Sequence, residues 1–70
     1  IQLTPLASSD VAGHTLPTRW AVKIPGKHID ITTTALNPNA WMNLRIPYWE
    51  GPVLVSGSHS GTGYLEMTGY

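Results

Sequence analysis

The sequence predicts an all-β fold, an antiparallel meander of about six short strands, and two observations support this. Six prolines and seven glycines divide the chain into segments that are too short for an independent helix. Within these segments apolar and polar residues alternate with period two, which is the pattern of a half-buried strand. We therefore expect residues 1–70 to form a single domain without an internal linker.

The first half of the chain predicts three strands. "IQLTPL" predicts a strand that Pro5 confines to a sheet edge or a strand end, and "ASSDVAGHTL" predicts a loop. In "PTRWAVKIP", Trp20, Val22 and Ile24 share one face, and "HIDITTTAL" alternates in the same way. The short "PGK" link between these two segments predicts a hairpin.

The second half of the chain predicts three more strands after a turn at "NPN". "AWMNLRI" predicts a strand with Ala40, Met42, Leu44 and Ile46 on one side. The segments on either side of "SHS" predict a closing hairpin with His59 at its tip. The pattern therefore predicts six strands, fewer than the roughly eight that closing a β-barrel of this kind takes.

The closing hairpin can be paired by hand. With His59 at the centre of the tip, Leu54 faces Tyr64, and Glu66 faces the residue two positions after Glu50. The two glutamates are then diagonal neighbours, roughly 7–8 Å apart. The alternation predicts a core face that carries Trp49, Val53, Val55, Leu65 and Met67, and a second face that carries Tyr48, Glu50, Leu54, Tyr64, Glu66 and Thr68.

Composition excludes several classes of function. Four basic residues balance four acidic ones, which argues against a nucleic-acid partner. No apolar run approaches about 18 residues, so no membrane span is predicted. There is no cysteine, and the three histidines lack metal-ligand spacing, so we expect no metal site and no cofactor. No signal peptide is recognisable, and the sequence assigns no compartment.

Glu50 and Glu66 allow two interpretations. Beside Tyr48, Trp49 and Tyr64, the pair could divide into an acid and a base if burial separated their proton affinities. In the alternative interpretation, both acids point to water from a sheet whose other face is core. Trp20, Trp41 and Trp49 are expected as core or interface anchors, because no basic stripe accompanies them.

The order of four segments resembles a known family. "LTPL", "LPTRWAVKIP", "IDITTTALNPN" and "YWEGPVLVSGSHSGTGYLEMTGY" resemble the C-terminal half of the AttH-like proteins. This lipocalin-like family includes the bacterial carotenoid hydratase hydroxyneurosporene synthase. One departure is Ala40-Trp41, where many relatives carry Gln-Glu after the turn.

The resemblance implies a fold and a substrate class. Its members look like two lipocalin-like barrels in tandem, are often exported, and include hydratases and cyclases that act on apolar substrates. Residues 1–70 then correspond to part of the C-terminal barrel. The candidate ligand-binding residues are Trp20, Trp41, Tyr48, Trp49, Glu50 and Tyr64, and the candidate catalytic acid is Glu66.

Three functions from different classes follow. The first is a lipocalin-like module that binds an apolar small molecule, and the second is a structural unit that assembles with another chain. The third is part of a hydratase, isomerase or cyclase that acts on a polyene-like substrate. Because two open sheet edges are a liability, we expect a homo-oligomer or a piece of a longer chain. Among the acids, Glu66 is the better candidate because Tyr64 and Tyr70 could enclose it.

Overall fold

The computed structural model describes residues 1–70 and confirms the all-β prediction. One antiparallel sheet contains six strands and is open, not closed into a barrel. The strands are β1 (Gln2–Val11), β2 (His14–Ile24), β3 (Ile29–Ala35), β4 (Trp41–Met42), β5 (Tyr48–Gly57) and β6 (Gly61–Met67). The "PGK" link is a 3-10 turn, Pro25–Lys27, and it joins β2 to β3 as predicted. No helix is long and apolar enough to cross a bilayer.

Strand β5 organises the second half of the sheet because it pairs with three other strands. β3 pairs with residues 53–57, β4 pairs with Tyr48 and Trp49, and β6 pairs with residues 49–55. A strand has two edges, and β6 overlaps the pairing range of both other strands, so β3 and β4 lie end to end along one edge of β5. The sheet therefore runs from β1 through β2, then β3 with β4, to β5 and β6. All paired strands are antiparallel, but β3 pairs with β5 and not with β4, so the order departs from a strict meander at this point.

The predicted loop "ASSDVAGHTL" is wrong, because most of it forms the β1–β2 hairpin. Val11 pairs with His14, and only Ala12 and Gly13 form the turn. Both turn residues have positive φ, +49° and +80°, which suits the right-handed twist of the flanking strands. The backbone ladder of an edge hairpin does not need an apolar pattern, so the polar residues around this turn did not predict strand.

The predicted seven-residue strand "AWMNLRI" is also wrong in its extent. β4 contains only Trp41 and Met42, which pair with Trp49 and Tyr48. Residues 43–47 are the loop that reverses the chain into β5. Leu44 and Ile46, which were expected on a strand face, are therefore exposed.

The register of the β5–β6 hairpin differs by two residues from the prediction. Glu50 pairs directly with Glu66, so the two glutamates are opposite each other and not diagonal. The tip is longer than expected because β3 holds it. The Ser58 backbone N–H donates to the Asp30 carbonyl at 2.9 Å, and the Asp30 N–H donates to Ser58 Oγ at 2.8 Å. A shift of two residues keeps every side chain on its predicted face.

The two faces of the sheet differ in burial as the alternation predicted. We call the inner face the one that carries Trp49, Val53 and Met67, all of which are buried. Leu54 and Tyr64 lie on the opposite, outer face and are exposed. At one end of the inner face a compact core of Val11, Leu16, Trp49 and Met67 excludes water, and we call this the closed end.

Candidate functional site

The other end of the inner face is a cavity of about 370 Å³, which we call the open end. Leu3 on β1 and Gly63 on β6 lie on strands at opposite edges of the sheet, and both line this cavity. The sheet therefore curves around it. The volume falls within the range of small-molecule sites. The lining residues are mostly apolar and are Leu3, Trp20, Val22, Thr33, Val53, Val55, Gly63, Tyr64, Leu65, Glu66 and Met67.

The side chain of Trp20 lines the cavity and carries a buried donor. The ring is half-buried, and its Nε1–H is shielded from water without a hydrogen-bond partner. It is the one buried side-chain nitrogen or oxygen in this condition. Leaving a buried donor unpaired costs about 1–3 kcal/mol. The candidate ligand-binding residue Trp20 therefore lies at the cavity and has an unused donor.

The other two candidate tryptophans lie at the closed end. Trp49 is fully buried, and its Nε1–H donates to the carbonyl oxygen of Pro38 at 2.8 Å. Trp41 stacks on His14 with ring centroids 4.3 Å apart and packs against the core. Neither residue lines the cavity. Of the three tryptophans only Trp20 lines the cavity, and it packs against the closed-end core as well.

The four remaining candidates share the outer face. Glu50 on β5 lies directly opposite Glu66 on β6, with Tyr48 and Tyr64 as their neighbours on the same face. Glu66 and Tyr64 are exposed, whereas Tyr48 and Glu50 are half-buried. Tyr64 and Glu66 also line the cavity, because the β6 segment that carries them forms one of its walls. The structure therefore brings these four candidates together beside the cavity, with only Glu66 and Tyr64 bordering it.

Within this cluster of Tyr48, Glu50, Tyr64 and Glu66, the environment raises the pKa of the Tyr48 phenol. Desolvation raises the pKa of the Tyr48 phenol above its usual value of 10.0, and the hydrogen-bonding and negative charge of Glu50 raise it further. The charges of Glu66 and Tyr64 contribute in the same direction. Like charges placed directly opposite each other on adjacent strands are mutually destabilising. No three His, Asp or Glu side chains come together in a group that could hold a metal ion.

Sequence reasoning assigned several cavity residues to the core. Val53, Val55, Leu65 and Met67 were correctly placed on one face by alternation. Val53 and Met67 are buried as expected, whereas Val55 and Leu65 are only half-buried. Leu3 and Thr33 were not singled out. Only strand pairing could have placed them on the inner face. Leu3 pairs with Val22 and Thr33 pairs with Trp20, so each shares the face of its partner.

Comparison with known proteins gives one match. No curated protein and no solved structure matches the chain. The sequence model described as AttH-like matches residues 1–70, which is the whole of the chain. That range includes every strand of the sheet and every residue of the cavity. The chain belongs to the AttH-like family.

Proposed function

We propose that this chain is a lipocalin-like module that binds an apolar small molecule at the open end of its inner face. The observation that carries this proposal is the cavity of about 370 Å³ between β1 and β6, lined mostly by apolar side chains. A ligand there would remove Leu3, Val55 and Leu65 from water, at about 25 cal/mol per Å² of apolar surface. Membership of the AttH-like family supports the same class of ligand.

Tryptophan fluorescence tests this proposal because only one of the three tryptophans faces the cavity. Saturable quenching is expected with retinoids, fatty acids and carotenoid fragments, and none is expected with nucleotides. Since Trp49 is fully buried and Trp41 is stacked on His14, Trp20→Phe should remove most of the quenching. Quenching that survives Trp20→Phe unchanged would place the ligand elsewhere.

A matched pair of substitutions separates the cavity from the rest of the sheet. Val55 points into the cavity, and Leu54, its neighbour in sequence, points outward and is exposed. Val55→Phe should fill the cavity and weaken binding about tenfold or more, whereas Leu54→Phe should leave binding unchanged. A ligand panel that shows no binding to the unsubstituted chain would reject the proposal.

A second candidate function is part of a hydratase, isomerase or cyclase that acts on an apolar, polyene-like substrate. The observation in its favour is that Glu66 is the one acidic residue among those that line the cavity. Adding water to an alkene requires a proton donor, together with aromatic faces that stabilise the resulting cation. The Glu66 and Tyr64 side chains lie on the outer face, so a substrate would have to reach over the β6 edge for Glu66 to supply the proton, and Trp20 would supply an aromatic face from the inner side.

Paired glutamine substitutions test the catalytic role. Glu66→Gln should abolish any conversion of a bound polyene, followed by absorbance, whereas Glu50→Gln on the opposite strand should retain it. Both substitutions are expected to change the free energy of unfolding by no more than about 0.5 kcal/mol, because glutamine keeps the size of the side chain and neither glutamate is fully buried. Conversion that persists in Glu66→Gln would exclude this acid.

The third candidate function, assembly with another chain, is supported by the two unpaired edges of the open sheet. The partner would be a second copy of this chain or the remainder of a longer two-domain protein. Mass spectrometry under native conditions reports oligomeric state and retained ligand together. A stable monomer at all concentrations would reject self-assembly.

A further inference from the structure

The two edges of the sheet are protected to different degrees. β1 contains Pro5, and its pairing with β2 shifts register on both sides of Ala7. Proline and irregular pairing are common devices that prevent a sheet edge from adding another strand. β6 pairs with β5 without a register shift over the seven residues Gly61–Met67 and contains neither proline nor lysine. The β6 edge is therefore the one open to another strand.

We propose that β6 is the docking edge for a second copy of this chain, paired antiparallel about a two-fold axis at Tyr64. This inference rests on the assembly function proposed above and names its surface and register. Tyr64 is the central residue of β6, so this register pairs all seven residues of both strands. Moving the axis by one residue in either direction leaves two residues of each strand unpaired.

The inner-face residues of β6 are complementary in size under this register. Gly63 would lie opposite Leu65 of the second copy, and Gly61 would lie opposite Met67 of the second copy. The same glycines already face valines of β5, since Gly63 pairs with Val53 and Gly61 pairs with Val55. A glycine leaves space for a large side chain on each neighbouring strand. Leu65 of the second copy would then extend the wall of the cavity that Gly63 lines.

The outer-face residues are complementary as well. Tyr64, which is 67% exposed, would pack against Tyr64 of the second copy. Aromatic residues directly opposite each other on adjacent strands stabilise the pairing. Glu66 would face Thr62 of the second copy, so the register keeps the two Glu66 carboxylates apart. The interface is small compared with standard dimers of roughly 1,200–2,000 Å², so we expect dimerisation that depends on concentration.

Two substitutions at Thr62 test the register by sedimentation of residues 1–70 over a range of concentrations. Thr62→Lys would place a lysine opposite Glu66 of the second copy, and symmetry repeats that pair. It should tighten the dimer about fivefold, and Thr62→Glu should weaken it about fivefold for the opposite reason. The difference should shrink in 1 M salt, because these side chains are exposed.

Thr4→Lys is the matched control, since Thr4 is exposed and lies on the outer face of β1 at the other edge. It should leave the dissociation constant unchanged. The double substitution Thr62→Glu with Glu66→Lys places a glutamate at position 62 opposite a lysine at position 66 of the second copy. It should restore the dimer that Thr62→Glu alone weakens. The same samples, titrated with an apolar ligand while monomeric, report the ligand-binding function separately.

Three results would overturn the proposal. The first is a monomer at every concentration, and the second is a change in the same direction for Thr62→Lys and Thr62→Glu. The third is a dimer weakened by Thr4→Lys and not by Thr62→Glu, which would assign pairing to β1. Ligand binding that persists alongside any of these results would reject the β6 interface and leave the ligand-binding function standing.

Discussion

Trp49 and Trp20 occupy the same face of one sheet in opposite environments. Trp49, at the closed end, is fully buried and donates its indole N–H to Pro38. Trp20, at the open end, borders the cavity, and its N–H has no partner. Alternation produces an apolar inner face along the whole sheet, but only one end of that face is covered. We infer that the closed end supplies stability and that the open end is left for a ligand.

The strongest test of this division is Trp49→Ala. Removing a fully buried tryptophan costs about 3–5 kcal/mol. The whole free energy of unfolding of a 70-residue domain is only about 4–10 kcal/mol. We expect urea denaturation to show a chain that is largely or marginally unfolded. Leu54→Ala, on the exposed outer face, is the control and should lose under about 1 kcal/mol. A similar loss for both variants would contradict the division.

The contact between the β5–β6 hairpin tip and β3 is tested by Gly57→Ala. Gly57 has φ +114°, and a Cβ there would come within 2.5 Å of the Asp30 carbonyl oxygen. Strain and displacement of β3 should together cost about 2 kcal/mol in urea denaturation. Gly26→Ala is the control, because no atom lies near its added Cβ and its φ is not positive. Equal stability of the two variants would show that the β3 contact does not hold the hairpin tip.

Replacing Trp49 or Trp20 by phenylalanine should change the free energy of unfolding by less than Gly57→Ala does. Trp49→Phe removes a hydrogen bond and part of a packed ring, so thermal unfolding should show a loss of about 1–2 kcal/mol. Trp20→Phe removes an unpaired donor and also part of a ring that packs against the core. These effects oppose each other, so its free energy of unfolding should stay within about 0.5 kcal/mol of the original. If Trp20→Phe is the more destabilising substitution, the open end contributes more to stability than its exposure indicates.

The smallest expected effect is a pH dependence from the outer face. Desolvation, together with the carboxylates of Glu50 and Glu66, raises the pKa of Tyr48 above 10.0. The folded state therefore holds this proton more tightly than the unfolded chain. Its contribution to stability is complete below pH 10 and is lost as the pH rises through the raised pKa. In urea denaturation above pH 10, Tyr48→Phe should lose stability less steeply. Tyr70→Phe is the control and should keep the original slope.

Strands β2, β5 and β6 show which features the alternation of apolar and polar residues predicted correctly. The alternation in β2, β5 and β6 correctly assigned the faces of Trp20, Val53 and Tyr64, because side-chain direction along a strand depends only on parity. Because a shift of two residues leaves parity unchanged, the alternation could not distinguish the observed β5–β6 register from the predicted one. The candidate residues Glu50 and Glu66 were correctly placed on one face, but their direct opposition was missed.

The sequence by itself determined the all-β class, the number of strands, the β2–β3 and β5–β6 hairpins and the family, because these follow from local alternation, turn residues and the order of recognisable segments along one chain. Only the tertiary structure decided where the hairpin tip ends, since β3 holds Ser58 through Asp30. It also decided which part of the inner face is covered. Curvature of the whole sheet brings Leu3 and Gly63 to one cavity, and the separation of those residues along the chain carries no local signal.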